Sequence, residues 1–197
     1  ALSYQVSGLK RDDTASSVLQ GNLVREAGEN VKSGGYAIQQ GDLSLISQNY
    51  LLQYENGTLT ITPASLQVDF DDKSKVYGEI DPSLTYRVTG LVNGDTAETV
   101  LSGAGSRAPG ENVGNYAIGQ GSLAANGNYI LTVHEGALAI TPAELTVSAD
   151  DKTKVYGDLD PSLTYQVSGL KNGDSADAVV SGNLSRVEGE DVRPEGY

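Results

Sequence analysis

The chain of 197 residues has no cysteine, no methionine and no tryptophan, a single phenylalanine and a single histidine. Without cysteine there is no disulfide staple, no thiolate nucleophile and no thiolate ligand. With only His134 beside that absence, a zinc or thiol-based centre is excluded in practice. Basic residues are also scarce: 13 Lys and Arg face 26 Asp and Glu, for a net charge of -13 and a pI near 4.3. A nucleic acid or an anionic membrane needs a basic face, so neither is an expected partner. The acidity reads more simply as solubility and self-repulsion. No apolar run is long enough to cross a bilayer, and no signal peptide or lipidation motif occurs, so no membrane insertion is expected within this stretch. No G-x-S-x-G, Gly-rich phosphate loop or paired-carboxylate constellation is repeated, and the chain is not expected to be an enzyme. The zero cysteine count does not by itself set a compartment.

What the sequence has is repetition, and 24 glycines. Residues 71–95, DDKSKVYGEIDPSLTYRVTGLVNGD, return at 150–174 as DDKTKVYGDLDPSLTYQVSGLKNGD. Residues 63–113 match 142–192 at 32 of 51 positions without a gap, which requires a shared fold. The second half of the same stretch opens the chain as LSYQVSGLKRDD. The end of the unit repeats as well: 49–52 matches 128–131, and GTLTITP at 57–63 matches GALAITP at 136–142. Three units follow, over 1–62, 63–141 and 142–197. Only the middle one is complete, since the first lacks an opening strand and a KVYG segment and the third reaches only Tyr197, the counterpart of Tyr116. The expected parent is a longer array. A unit of this size buries only about 60 % of its unfolded surface, so neighbouring repeats of the same chain are the expected partners in stability. The junctions Thr62-Pro63 and Thr141-Pro142 carry no Gly/Ser-rich linker, which predicts semi-rigid connection.

Within a unit the apolar residues alternate. Leu66, Val68 and Phe70, then Leu84, Tyr86 and Val88, Tyr116 and Ile118, Tyr129, Leu131 and Val133, and Leu138 and Ile140 each predict a strand with one buried face. Asn, Gly and Asp clusters between them predict turns. Residues 95–103, DTAETVLSG, break the period and predict a short helix of two turns, with Asp95 as N-cap, Glu98 completing a capping box and Gly103 at the end. The fold class expected is mostly β: tandem small β-rich domains, β-grasp-like or β-sandwich-like, each with one short α-helix. The domain phase is open, because a unit starting near Asp81 with a strand donated by its predecessor fits equally.

The series K-V-Y-G-x-x-D-P-S-L-T-Y-x-V-x-G-L-x-N-G-D, followed by V-L-S-G, S-R-x-x-G-E-x-V-G-x-Y-A-I and N-Y-x-L-x-x-x-x-G-x-L-x-I-T-P, resembles the MBG domain of the YGX type along the whole chain. The resemblance implies a β-rich repeat of a large secreted or cell-surface bacterial protein, of the filamentous-haemagglutinin-like, two-partner-secreted kind. It further implies an extracellular stalk supporting cell–cell, host or biofilm-matrix attachment, and it carries no catalytic residue. The first copy departs from the pattern with Lys10-Arg11-Asp12 in place of Val/Lys-Asn-Gly, a change confined to a turn.

Several residues invite a functional reading, each against a plainer one. Tyr77, Tyr86, Tyr116 and Tyr129 suit a glycan-stacking face, which makes a carbohydrate-binding module for exopolysaccharide the alternative function. Their alternation on strands suits core tyrosines with a hydroxyl on a partner. As a core residue, Tyr86 changed to Ala is expected to cost about 3–5 kcal/mol. The acidic residues Asp71, Asp72, Asp81 and Asp95, with Asp150, Asp151, Asp158, Asp160 and Asp174, suggest calcium. That ion needs about six to eight oxygens, and no D-x-[DN]-x-[DN]-G loop is present, so no cofactor is expected. Lys75 and Lys154 stand among apolar residues, where a Lys–Asn isopeptide staple is conceivable, but an exposed strand lysine is the commoner reading. His134, unrepeated, reads as a surface residue. The sequons at Asn56 and Asn183 read as accidental. No catalytic, cofactor or metal residue is assigned.

Overall fold

The computed structural model describes residues 2–194 and 196; Tyr197, the counterpart of Tyr116 in the third repeat, lies outside the described residues. The protein is mostly β, with three helices of one turn each among the described residues. Two compact units share the chain. The first holds Ala1–Val68, Val88–Gly103 and Ser122–Val133, and the second Asp69–Arg87, Ala104–Gly121 and His134–Tyr197. Residues of the middle repeat therefore contribute to both.

In the first unit the core of the first repeat is built on Val18, Leu19 and Leu43, with Leu9, Tyr50 and Leu52 against them. A second cluster is built on Leu66, Val100 and Tyr129, covered by Val88, Leu91 and Leu131. Strand Val24–Arg25 pairs antiparallel with Tyr36–Gln39, which pairs with Gly57–Leu59. Leu101–Ser102 pairs with Ala124–Ala125.

In the second unit a four-stranded sheet runs in the order Ser106–Arg107, Gly114–Gly119, Gly136–Thr141, Lys73–Val76. The last pair is parallel, with Lys75 opposite Ile140. Leu138 and Ile140 alternate inward as their spacing predicts, and Ile118 is fully buried beside them. The third repeat contributes the antiparallel pair Thr146–Ala149 and Tyr165–Ser168 and the helix Ala176–Val179. None of its described side chains is fully buried. A three-stranded sheet with Ala64–Phe70 between Tyr129–His134 and Tyr86–Thr89 supplies residues to both units. In it Leu66, Val68 and Phe70 all face inward, as their alternation predicts.

The structure corrects three sequence expectations. The helix is one turn, Ala97–Val100, and its N-cap is Thr96, whose N–H donates to the Thr99 hydroxyl at 3.1 Å. Asp95 is instead drawn to Tyr129, and Leu101 leaves the helix to become strand, so Glu98 closes no capping box and Gly103 ends none. Tyr86 is not core. It is 37 % exposed and sits edge-on to Phe70, with ring centroids 5.4 Å apart. The 3–5 kcal/mol expected for its truncation belongs to fully buried aromatics, so the cost at Tyr86 falls below that range. Lys75, expected on the surface, is 6 % exposed. It lies on the strand that pairs with buried Ile140, and its ammonium has company that the sequence did not announce.

Candidate functional site

Lys75 meets two carboxylates. Its Nζ lies 2.6 Å from Asp81 Oδ1 and 2.6 Å from Glu111 Oε2, and it donates to the Glu79 carbonyl at 3.1 Å. Arg107 closes the ring, with Nε 2.5 Å from Asp81 Oδ2 and Nη2 on Glu111. Two cations and two carboxylates thus form a closed square. The third repeat builds the same square from Lys154, Asp160, Arg186 and Glu190, with contacts of 2.6–2.7 Å. The first repeat has the Arg25–Glu29 side of it.

The charges shift one another in a consistent direction. The Asp81 carboxyl is pulled below its ordinary value by the hydrogen bond from Arg107 and then by that from Lys75. Glu111 is lowered by Lys75 and then Arg107. Lys75 is raised by Asp81 and then Glu111. In the third repeat Arg186 and Lys154 hold Asp160 down at about 2, and Asp160 raises Lys154. Every group is driven deeper into its charged form. An isopeptide bond needs the reverse, a neutral amine beside a protonated carboxyl, and the arginine at each square opposes it.

The arginine also explains the R-x-x-G-E spacing. Arg107 Nη1 donates to the carbonyls of Ala108 at 2.8 Å and Gly110 at 2.6 Å, curling the loop around its own guanidinium. The guanidinium carbon lies 5.6 Å from the centre of the Tyr116 ring, and the Tyr116 hydroxyl donates to the Asn112 carbonyl at 2.8 Å. Gly110, at φ +140°, lies under that ring. A Cβ there would fall 2.8 Å from Cζ and 2.9 Å from the hydroxyl oxygen, and closer still to Cε1. Gly28 lies under Tyr36 in the same way in the first repeat.

The remaining tyrosines serve a second recurrent latch. The Tyr129 hydroxyl donates to Asp95 Oδ2 at 2.6 Å and accepts the Val92 N–H at 3.1 Å. In the first repeat Tyr50 does the same with Asp13 and the Lys10 N–H, at 2.6 and 2.9 Å. The carboxylate raises the pKa of both phenols. In the third repeat Asp174 accepts from Tyr77 of the middle repeat at 3.0 Å. The last residue of L-x-N-G-D is thus a tyrosine acceptor in every copy. Of the four tyrosines considered for glycan stacking, Tyr129 is buried, Tyr77 and Tyr116 are half-buried and Tyr86 is exposed.

The acidic residues are placed singly. Thr85 donates to Asp71, and Lys73 lies 3.9 Å from it. Asp72 accepts the Ala137 N–H at 2.8 Å. Thr164 donates to Asp150. Asp151 and Asp158 are exposed. Among the described residues no group of three or more His, Asp or Glu is arranged to hold a metal ion. His134 is exposed, with Nδ1 2.6 Å from Asp69 Oδ1. Among the described residues no helix is long and apolar enough to cross a membrane.

Repeats contact one another directly. Within the first unit the Asn128 amide bridges the middle repeat to the first, accepting the Val31 N–H at 2.8 Å and donating to Asn30 at 2.9 Å. Within the second, Tyr77–Asp174 does the same for the middle and third.

No curated protein and no solved structure matches the chain. The model of one family, the MBG domain (YGX type), matches residues 1–60, 66–139 and 145–197. The Lys-Val-Tyr-Gly, Arg-x-x-Gly-Glu and Asn-Gly-Asp motifs that build the charge square and the tyrosine latch lie inside those matches, and the chain belongs to the MBG domain (YGX type) family as three tandem repeats.

Proposed function

We propose that these repeats are a structural spacer of a secreted or cell-surface bacterial adhesin, supporting cell–cell, host or biofilm-matrix attachment from outside the cell, and that they turn over no substrate. One observation carries the reading. The polar residues that recur between copies are engaged with each other, as the square Lys75–Asp81–Arg107–Glu111, its copy in the third repeat, and the tyrosine–aspartate latches. A catalytic acid or base works best with a pKa near the working pH. Here the carboxylates are lowered and the lysines raised, away from it. Family membership and linker-free tandem repetition support the same reading.

The test is a screen of the full chain against bacterial exopolysaccharides and a glycan array, with calcium and with chelator. A spacer gives no saturable binding in either condition. Saturable binding abolished by Tyr86→Ala, with the thermal melt unchanged, would make the repeats themselves the adhesive surface and overturn the proposal.

A further inference from the structure

The middle repeat opens and closes on neighbouring strands. Ala64–Phe70 opens it and lies beside Tyr129–His134, and the following Lys73–Val76 lies beside Gly136–Thr141, which closes it. In the first unit the Ala64 N–H donates to the Asn128 carbonyl at 2.9 Å. In the second unit Asp69 meets His134 and Asp72 meets Ala137, both 65 residues apart, and the parallel register then runs from Lys73 opposite Leu138 to Val76 opposite Thr141. Side chains fasten this parallel ladder at both ends. Asp72 Oδ1 accepts the Ala137 N–H at 2.8 Å at one end. At the other, the Thr141 hydroxyl donates to the Lys75 carbonyl at 3.2 Å, and the Thr141 carbonyl accepts the Tyr77 N–H at 2.8 Å. Leu138 and Ile140 are buried along it, which keeps water from the bonds between the strands.

A parallel pair is slightly weaker per residue than an antiparallel one and needs a long crossover, so equilibrium stability does not favour it. Tension does. Thr62-Pro63 and Thr141-Pro142 join the repeats without a linker, so a pull along the chain enters the opening strand at Ala64 and leaves the closing strand at Thr141. In a parallel pair those are opposite ends. The strands are drawn past each other lengthwise, and all the ladder bonds are loaded together. Strands pulled from the same end would open one bond at a time. We propose that the opening and closing strands of the middle repeat are a shear clamp, which makes this repeat a load-bearing link. The charge square adds an anchor, since Lys75 lies in the clamp and its ammonium is held by Asp81 and Glu111. The use of the clamp rests on the spacer reading, because a stalk is what an attached cell pulls on.

The experiment pulls single molecules of the full chain through paired cysteine handles, which the absence of native cysteine makes specific. Thr62→Cys with Glu144→Cys loads the ladder from opposite ends, and Thr62→Cys with Gly127→Cys loads it from one end. All three positions are exposed. At one pulling speed the rupture force from opposite ends is expected to be several-fold the force from one end. Forced unfolding follows the barrier along the pulled direction rather than the folding equilibrium, so shared stability does not produce that difference. Adding Asp72→Ala is expected to lower the force from opposite ends and to leave the force from one end unchanged, because peeling begins at Ala64 and Asn128. Equal forces in the two geometries, no rupture event from opposite ends, or an Asp72→Ala change that is absent from opposite ends or the same in both geometries overturns the clamp. The glycan screen tests the spacer reading separately, so either can fail alone.

Discussion

Changing Gly110 to Ala tests whether the Arg-Tyr loop is built as described. Two costs add. The residue sits at φ +140°, outside the usual range of L side chains, at about 1–3 kcal/mol. The new methyl also meets the Tyr116 ring, with Cζ at 2.8 Å and the hydroxyl oxygen at 2.9 Å, and the ring is held from beyond by Arg107 and through its hydroxyl by the Asn112 carbonyl. Overpacking of that kind costs about 1–3 kcal/mol. The expected loss is therefore about 2–6 kcal/mol in urea unfolding, read from a lower midpoint at unchanged slope. Gly127 supplies the control, because a Cβ there meets nothing within 4 Å and its φ is not positive, so Gly127→Ala is expected within about 0.5 kcal/mol of wild type. In a Tyr116→Ala background the steric part disappears, and Gly110→Ala should cost only its backbone share. Equal stabilities for Gly110→Ala and Gly127→Ala would refute the seat of Tyr116 over Gly110.

Stability against pH should follow the charge squares. The carboxylates have lowered folded values, so their contribution is complete above the ordinary 3.8 and 4.5 and is lost as pH falls through the folded values, to about 2 for Asp160. The lysines have raised values, so theirs is complete below 10.5 and lost as pH rises beyond it. Urea midpoints across pH should trace a plateau between these limbs, and Glu111→Gln should flatten the acid limb; an unchanged limb would contradict the assignment. The intact mass should equal that of the sequence with no water lost, since Lys75 remains an ammonium; a missing water, localised to a Lys75–Asp81 or Lys75–Glu111 cross-link by peptide mapping, would refute it. Arg11 takes φ +59° where the other copies have Asn93 and Asn172 at +56° and +52°. Arg11→Asn should therefore stabilise by up to about 1 kcal/mol in thermal or urea melts, and a loss would show that the arginine side chain contributes more than its backbone costs.

Much of this architecture was legible because alternation is a local signal. Leu66, Val68 and Phe70, and Leu138 and Ile140, point inward as a period of two requires. The helix was legible in place but not in length. Its propensity is weak over so few residues, and Leu101 gains more by pairing with Ala125 than by a second turn. The charge square was hidden because a lone lysine carries no sign of its own burial. The signal was the spacing: Lys and Asp six apart, Arg and Glu four apart, and Lys to Glu 36 apart, identical in the middle and third copies. Asp95 misled because Asp is a good N-cap, and only the third dimension shows Tyr129 waiting for it.

The two squares share their chemistry and differ in exposure, and that difference has a measurable consequence. The Lys75 side chain is 3 % exposed and Arg107 14 %, against 21 % for Lys154 and 24 % for Arg186. Salt screens ion pairs in proportion to their contact with water, so exposed pairs weaken first. Local geometry alone assembles the square, since the third repeat builds it without a fully buried side chain around it. Burial then determines how firmly it holds. Side-chain NMR of the lysine Cε and Nζ resonances, followed through a salt titration, should show Lys154 loosening at lower ionic strength than Lys75. A common response of the two would mean that the carboxylates, which are exposed in both copies, set the strength of the square, and that burying Lys75 adds nothing to it.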